Sequence, residues 1–296
     1  MDFLKLDLKN QPLNLKYTLF CGQAFRWKDL GNSTYIGIIK NNLIILKQNE
    51  NKEFFWTNMS DNKDTDLKSD FITEYFRTED NINSIYTHLI EADKTLEPII
   101  EKFYGLRILK QDLHETIFSF LCSSANSIPK ITEGINKLSY LFKNNYIGNY
   151  KNENFYSFPS LDDLSISDSS DLRAIKELAF RGKNIYEVAN THHFNKDFYE
   201  ILKKSSYEDT HKLLSSTKNI GYKIADCICL FALGFDHVVP IDTHVRQIAI
   251  NKFSYKILSK TISKTTYRNI QKIFLEKYGQ YAGWAQQFLF MNEISK

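Results

Sequence analysis

The chain has 296 residues, of which 43% are hydrophobic, so it is long and apolar enough to bury a sizeable core in two or three subdomains. Its formal net charge of +3 is mild and by itself indicates no nucleic-acid partner. Residues 1–10 carry charges throughout and no later run approaches membrane-spanning length, which argues against a signal peptide or a membrane anchor.

The first predicted region, residues 1–95, is rich in strands. Residues 35–39 and 43–46 are β-rich runs, and the Lys-Asn-Asn sequence between them is typical of a hairpin turn. A run at 53–57 adds another strand, and residues 71–90 have helical spacing. We therefore predict an antiparallel sheet domain at the amino terminus.

The second predicted region, residues 96–296, is mostly helical. Residues 144–170 are rich in Asn, Ser and Asp, so we expect a loop there that leads into a helix at 172–178. Two further helices meet at a hairpin within residues 207–234. These patterns predict an α+β fold class, in which the sheet domain is followed by a helical domain.

The hairpin is predicted from Asn219 and Gly221, which lie between a helix that ends near Ser216 and one that begins near Tyr222. Asn and Gly tolerate positive φ, and N–H groups at a helix amino terminus can hold a phosphate. Lys223 follows in the first turn, where a cation opposes the helix dipole at a cost of up to about 1 kcal/mol. Such a position disfavours the ammonium form, and the neutral amine is a nucleophile.

A carboxylate follows this helix along the chain. Asp242 precedes a helical segment at 243–248 and could serve the amine of Lys223. Taken singly, Lys223 is most often a solvated surface lysine, and Asp242 is most often an N-cap that satisfies the first N–H groups of the next helix. Residues 217–277 contain ten basic and four acidic residues, so positive charge is concentrated around the hairpin.

The order of hairpin, lysine, helix and the pattern V-P-x-D-x-H at 239–244 resembles the helix-hairpin-helix DNA glycosylases. Within them, the run KIADCICL at 223–230 resembles the 8-oxoguanine DNA glycosylase/lyase family. The resemblance implies that Lys223 displaces the base through a Schiff base and then nicks the strand by β-elimination, with Asp242 assisting. It implies an amino-terminal antiparallel sheet followed by a helix-hairpin-helix glycosylase core.

The resemblance also implies a pocket for a flipped base. The run CGQAFRW at 21–27 resembles the family motif G-Q-x-F-R-W, and YAGWAQQFLF at 281–290 resembles Y-A-G-W-A-Q-x-x-L-F. A glycine carbonyl can accept a hydrogen bond from N7–H, which is present in 8-oxoguanine and absent from guanine. The pocket residues implied in this way are Gly22, Cys227, Gln286 and Phe290. Without the resemblance, a turn glycine and an amphipathic carboxy-terminal helix would explain the same runs.

Contacts to duplex DNA follow from the same resemblance. The implied residues are Asn126, Lys130, Phe180, Arg181, Asn219, Gly221 and His244. The run CSSANS at 122–127 departs from the family's C-S-S-N-N-N, which reaches into the gap left by the flipped nucleotide, and Phe180 replaces a tyrosine. Lys130 stands where the family has an arginine that reads the opposite cytosine, and an ammonium cannot reproduce the guanidinium fork. The resemblance therefore carries over no strict preference for cytosine.

The cysteines, at 21, 122, 227 and 229, have neither zinc spacing nor the iron–sulfur spacing of endonuclease-III-like relatives, so we predict no metal and no cofactor. The expected partner is double-stranded DNA that contains 8-oxoguanine, bound by a monomer in the cytoplasm or, in a bacterium, over the nucleoid. Two alternatives stay open: a non-catalytic helix-hairpin-helix DNA-binding module, and a glycosylase for a different damaged base.

Overall fold

The computed structural model describes residues 2–61, 69–167, 169–192, 194–256 and 262–295. The strands of these residues are β1 (Leu4–Leu6), β2 (Lys28–Gly31), β3 (Thr34–Ile39), β4 (Asn42–Gln48), β5 (Phe54–Asn58), β6 (Tyr146–Tyr150) and β7 (Glu153–Tyr156). The helices are α1 (Leu15–Leu19), α2 (Asp70–Tyr75), α3 (Ile82–Ala92), α4 (Glu97–Lys102), α5 (Leu113–Leu121), α6 (Ile128–Leu141), α7 (Leu161–Ile166), α8 (Ser169–Ala174), α9 (Phe180–Ala189), α10 (Lys196–Lys204), α11 (Tyr207–Ser216), α12 (Tyr222–Phe231), α13 (Thr243–Phe253), α14 (Lys264–Tyr278) and α15 (Ala282–Ile294).

The amino-terminal sheet is antiparallel, with strand order β1-β5-β4-β3-β2. The predicted strand runs are confirmed, and the predicted hairpin joins β3 to β4 with Ile39 opposite Asn42. Its two turn residues, Lys40 and Asn41, have φ of 46° and 63°, which matches the right-handed twist of the flanking strands. Side chains such as Ile44, with no exposed surface, bury the sheet against neighbouring helices.

The loop predicted for residues 144–170 is wrong in its central part. Strands β6 and β7 form a hairpin there, and Lys151 and Asn152 turn it with φ of 48° and 65°. Helix α7 follows, begun by a capping box in which Ser160 and Asp163 exchange hydrogen bonds. The polar residues that suggested a loop are therefore turn and cap residues of regular elements. The helix predicted at 172–178 is confirmed only for residues 172–174, because α8 begins at Ser169 and ends at Ala174, and turns follow up to residue 179.

The described helices after α2 pack around one large apolar cluster, and the sheet packs with α1 and α2 around a second. Residues of α3 such as Leu89 belong to the helical cluster, and the ring of Tyr86 lies 5.4 Å from that of Phe288. The division of the chain at residue 95 stays a prediction. Helix α3 precedes that residue, yet it packs with the helices that follow it.

The α+β fold class is confirmed, with an antiparallel sheet followed by helices. The helix bounds near Ser216 and Tyr222 are confirmed by α11 and α12. Every residue of α12 from Ile224 to Phe231 is buried, and α12 packs on α5 and α11. No helix within the described ranges is long and apolar enough to cross a membrane.

Candidate active site

Lys223 lies in the first turn of α12, half buried. Its Nζ donates a hydrogen bond to Oγ of Ser123 at 2.9 Å and lies 5.2 Å from the ring centroid of Phe120. Both partners belong to the end of α5 and the segment after it. The amine is thus held at one place by a hydroxyl group and an aromatic face, unlike a lysine that extends into solvent.

Cys227 lies one turn after Lys223 on α12 and is 2% exposed. Burial raises the pKa of its thiol to about 12, while Lys223 lowers that pKa and Asp242 raises it. Lys223 and Asp242, which are 19 positions apart in the sequence, therefore both affect the pKa of the same thiol. Near neutral pH Cys227 is an uncharged side chain beside the amine.

Asp242 is the N-cap of α13, and its Oδ1 accepts a hydrogen bond from the backbone N–H of Val245 at 2.8 Å. The capping role that is most common for such an aspartate is therefore present. This hydrogen bond fixes the rotamer of the carboxylate, and the negative charge of Asp242 raises the pKa of the Cys227 thiol. The cap and the preceding Ile241, which is buried, hold Asp242 at the edge of the helical core.

Gly22 lies in a narrow space with φ of +79°, a conformation that glycine adopts without strain. A Cβ at this position would lie 3.0 Å from Cδ1 of Ile128 and 3.4 Å from Cε1 of Phe290. The ring of Phe290 meets that of His244 edge to face, with centroids 5.6 Å apart. The structure thus brings Gly22, Phe290 and His244 into one row, although they come from three distant parts of the chain.

Gln286 lies one turn before Phe290 on α15 and is only 4% exposed. Its Oε1 is buried without a hydrogen-bond partner among the described residues. A buried acceptor that makes no hydrogen bond costs about 1–3 kcal/mol, so such an atom suits a ligand that supplies a donor. The next residue, Gln287, points elsewhere, and its Nε2 donates to the carbonyl of Cys21 at 3.0 Å.

The hairpin between α11 and α12 has the predicted positive φ at Asn219, where φ is +71°. Gly221 instead has an extended conformation as the N-cap of α12, with φ of −82° and open space where a Cβ would be. The glycine therefore leaves room above the helix amino terminus. The side chain of Asn219 donates to Glu187 of α9 at 2.8 Å, and Lys218 donates to the same carboxylate at 3.0 Å.

The segment between α5 and α6 is tied to the start of α9. Arg181 is 6% exposed, and its guanidinium donates to the carbonyls of Ser124 and Ala125, both at 2.6 Å. Asn126 donates to the carbonyl of Cys122 at 3.1 Å. Arg181 therefore lies beneath the segment that carries Asn126 and supports its backbone.

Two of the remaining DNA-binding candidates are on the surface. Phe180 is 55% exposed and covers the guanidinium of Arg181, whose Cζ lies 4.4 Å from the ring centroid. Lys130 is exposed in the first turn of α6. Both begin helices that flank the segment containing Asn126, so the structure brings these candidates to one region of the surface.

Several residues of this site were missed by sequence reasoning. Ser123 and Phe120 contact Lys223, Ile128 borders Gly22, and Gln287 holds the peptide before Gly22. Ser123 was visible in the run CSSANS, but nothing in that run indicates a lysine 100 positions later as its partner. No group of three or more His, Cys, Asp or Glu side chains that could hold a metal occurs in the described part of the chain.

Comparison with known proteins gives this arrangement a family. Residues 5–117 match the sequence model described as "8-oxoguanine DNA glycosylase, N-terminal domain". The N-glycosylase/DNA lyase of Saccharomyces cerevisiae is 30% identical over 99% of this chain and 86% of its own length. The chain belongs to the 8-oxoguanine DNA glycosylase/lyase family. N-glycosylase/DNA lyase OGG1 of Arabidopsis thaliana is 29% identical over 98% of this chain and 80% of its own length.

Solved structures of this glycosylase/lyase family agree with the fold. The structure of MBOgg1 in complex with a low-affinity DNA ligand has a TM-score of 0.85 and 27% identity, and it covers 100% of both chains. Clostridium acetobutylicum 8-oxoguanine glycosylase/lyase in its apo form has a TM-score of 0.83 and 27% identity, over 98% of this chain and 96% of that one. The chain is therefore a DNA glycosylase with lyase activity, which contradicts the non-catalytic binding module.

Proposed function

We propose that this glycosylase/lyase excises 8-oxoguanine from duplex DNA, as a monomer, with Lys223 as the nucleophile. The proposal is carried by the position of the Lys223 amine, which is half buried and is held by the hydroxyl of Ser123 at 2.9 Å and by the ring of Phe120. Lys223 and Asp242 also act in opposite directions on the pKa of the Cys227 thiol. A fixed amine is suited to displacement at a sugar carbon, and we assign Asp242 as the carboxylate that stabilises the positive charge that develops there.

The chemical steps follow from these two groups. The nitrogen of Lys223 forms a bond to C1′ of the deoxyribose, and the base leaves with the electron pair of the glycosidic bond. Asp242 stabilises the charge on the sugar and assists removal of a proton from the nitrogen, and opening of the ring gives a Schiff base. Loss of a proton from C2′ then expels the 3′ phosphate, and water releases Lys223 as the free amine.

Recognition of the base is assigned to four residues around one space. The carbonyl of Gly22 accepts the hydrogen on N7 of 8-oxoguanine, a hydrogen that guanine lacks. The unpaired Oε1 of Gln286 accepts from the Watson–Crick edge, and Phe290 stacks on one face of the base while Cys227 covers the other. Supporting this assignment, a Cβ at Gly22 would approach Phe290 to 3.4 Å, so the two residues border the same narrow space.

The grip on DNA is divided between two surfaces. The backbone N–H groups of the hairpin at Asn219 and Gly221, with the exposed imidazole of His244, bind phosphates next to the lesion. Asn126 and Phe180 occupy the gap that the flipped nucleotide leaves.

In the second of these surfaces we assign supporting roles to the two basic residues. Arg181 acts mainly through the segment that it supports, because two of its nitrogen atoms donate to the carbonyls of Ser124 and Ala125. Lys130 lies nearest the opposite strand, where its ammonium binds without the fork of an arginine.

The test is covalent trapping with borohydride on a duplex that contains one 8-oxoguanine. Wild type forms an adduct, and Lys223→Gln forms none while it still binds the duplex. The matched control is Lys212→Gln, which removes an exposed lysine from the preceding helix α11 and should trap like wild type. An adduct of Lys223→Gln at the wild-type level would reject Lys223 as the nucleophile, and a wild type that traps only with another damaged base would reject the assigned substrate.

A further inference from the structure

A buried polar cluster lies behind the helix that carries Lys223. Its centre is Asp226, one turn along α12 and fully buried. The carboxylate accepts hydrogen bonds from Tyr207 Oη at 2.9 Å, from Tyr267 Oη at 2.5 Å and from Gln271 Nε2 at 2.7 Å, and His211 Nε2 lies 3.5 Å away. Burial lowers the pKa of His211, so this last contact is not an ion pair near neutral pH.

Two of these donors also bind the segment that leads to Asp242. The hydroxyl of Tyr267 accepts a hydrogen bond from the backbone N–H of Ile241 at 3.1 Å, directly before Asp242 in the chain. Gln271 donates to the carbonyl of Val239 at 3.2 Å. One carboxylate oxygen of Asp226 is therefore connected, through two side chains of α14, to two backbone groups of the short segment before Asp242. These groups are the carbonyl of Val239 and the N–H of Ile241.

The ring of Tyr267 also contacts the amino terminus of α12. It meets the ring of Tyr222 edge to face at 5.8 Å, and Tyr222 is the residue before Lys223. The same side chain thus touches the beginning of the helix with the nucleophile and the segment with the carboxylate. Its ring and its hydroxyl make separate contacts, so a phenylalanine would keep the first and lose the second.

Packing alone does not explain a buried polar cluster of this kind, because burial of its carboxyl group costs free energy. Desolvation raises the pKa of Asp226 to about 7 even though three hydrogen bonds oppose the shift. Apolar residues of similar volume fill buried space at lower cost than a carboxylic acid does. What the carboxyl group supplies, and an apolar residue cannot, is a fixed direction for each of its donors.

We propose that Asp226 and Tyr267 are positioning residues, which hold the segment before Asp242 at a set distance from the helix of Lys223 and thereby align carboxylate and amine for the reaction. The inference rests on the proposed function, since it takes Lys223 and Asp242 as the reacting pair. Neither Asp226 nor Tyr267 touches the substrate. Their effect on the reaction passes through Asp242.

The chain offers a closely matched pair of variants. Tyr267→Phe removes the hydroxyl that joins Asp226 to Ile241. Tyr278→Phe makes the same change in the same helix α14, where a buried hydroxyl donates to the buried carboxylate of Asp93 at 2.7 Å. Both variants lose one hydrogen bond to a carboxylate, and only the first loses a contact to the segment before Asp242.

We expect Tyr267→Phe to lower the single-turnover rate of base excision by about tenfold, because a small displacement of a reacting group is sufficient for such a loss. Its Kd for the 8-oxoguanine duplex stays within twofold of wild type. Tyr278→Phe keeps the wild-type rate even though its melting temperature falls. In an Asp242→Asn background, Tyr267→Phe gives no further loss, because its effect passes through the carboxylate that is already absent.

Three results would overturn the inference: Tyr267→Phe with the wild-type rate, equal rate losses in Tyr267→Phe and Tyr278→Phe, or a full additional loss in the Asp242→Asn background. Lys223→Gln is assayed in the same series. If it retained excision and trapping, the nucleophile assignment would fail whatever Tyr267→Phe does. If it lost both while Tyr267→Phe behaved as wild type, the proposed function would stand and only the positioning role would be rejected.

Discussion

Replacement of Gly22 by alanine tests the recognition of the base most directly. The residue has φ of +79°, which for an L side chain carries a strain of about 1–2 kcal/mol. Its new Cβ would also lie 3.0 Å from Cδ1 of Ile128, so a shift of some 0.4 Å is needed to reach the ordinary contact of 3.4 Å. Part of that shift falls on the peptide of Gly22 itself, which is also held by Gln287 through the carbonyl of Cys21 at 3.0 Å.

We expect Gly22→Ala to lower the selectivity for 8-oxoguanine over guanine by more than its loss of stability can explain. A displaced carbonyl forfeits one hydrogen bond to the N7 hydrogen, worth about 1 kcal/mol, so discrimination between 8-oxoguanine and guanine falls by about five- to tenfold. The assay is the ratio of Kd values for duplexes with 8-oxoguanine and with guanine, together with single-turnover excision. Melting temperature is recorded in parallel and should fall by a few degrees.

Gly31→Ala is the matched control, since Gly31 has φ of +82° and nothing within 4 Å of a Cβ. It should show a similar fall in melting temperature with unchanged selectivity. If Gly22→Ala lost stability like Gly31→Ala and kept both its excision rate and its Kd ratio, the carbonyl of Gly22 would not read the base.

Three further results are expected. Gln286→Leu should raise the melting temperature, since it removes a buried acceptor that costs about 1–3 kcal/mol, and should lower kcat/KM for 8-oxoguanine excision; a variant less stable than wild type would contradict this. Lys130→Arg should increase the ratio of excision opposite cytosine to excision opposite adenine, because a guanidinium supplies the missing fork; an unchanged ratio would place Lys130 away from the opposite base. Asp226 binds its proton more tightly in the folded protein, with a pKa of about 7 against 3.8, so its contribution to stability is present below pH 4 and lost as pH rises through 7. This loss is on the order of 4 kcal/mol, and Asp226→Asn should flatten the free energy of unfolding measured by urea between pH 5 and pH 8.

Local signals in the sequence were sufficient to predict those features of the fold that depend only on neighbouring residues. The turn at Lys40 and Asn41 and the positive φ at Asn219 follow from residue type within a few positions. The same kind of signal misled at residues 144–170, because a hairpin turn and a helix cap use the polar residues that loops also use. Composition over a window of that length does not distinguish these cases.

Contacts between distant residues could not be predicted from one sequence. The hydrogen bond from Lys223 to Ser123 spans 100 positions, and that from Tyr267 to Asp226 spans 41. Motif resemblance pointed to Lys223 because that residue is part of a recognisable run. Tyr267 belongs to no such run, and its connection to the site appears only when α14 is seen to pack beside α12 and the segment before Asp242.

Helix α9 has a consequence for how the chain tolerates changes in length. Near its beginning Arg181 holds the segment with Asn126, and six residues later Glu187 holds the hairpin through Asn219. A residue inserted between Arg181 and Glu187 would turn one relative to the other by about 100° and shift it by about 1.5 Å. Either the hairpin or the gap-facing segment would then lose its support. The number of residues between Arg181 and Glu187 is therefore as tightly constrained as their identity. The length of this part of α9 sets the distance and the angle between the two surfaces that are proposed to bind the DNA.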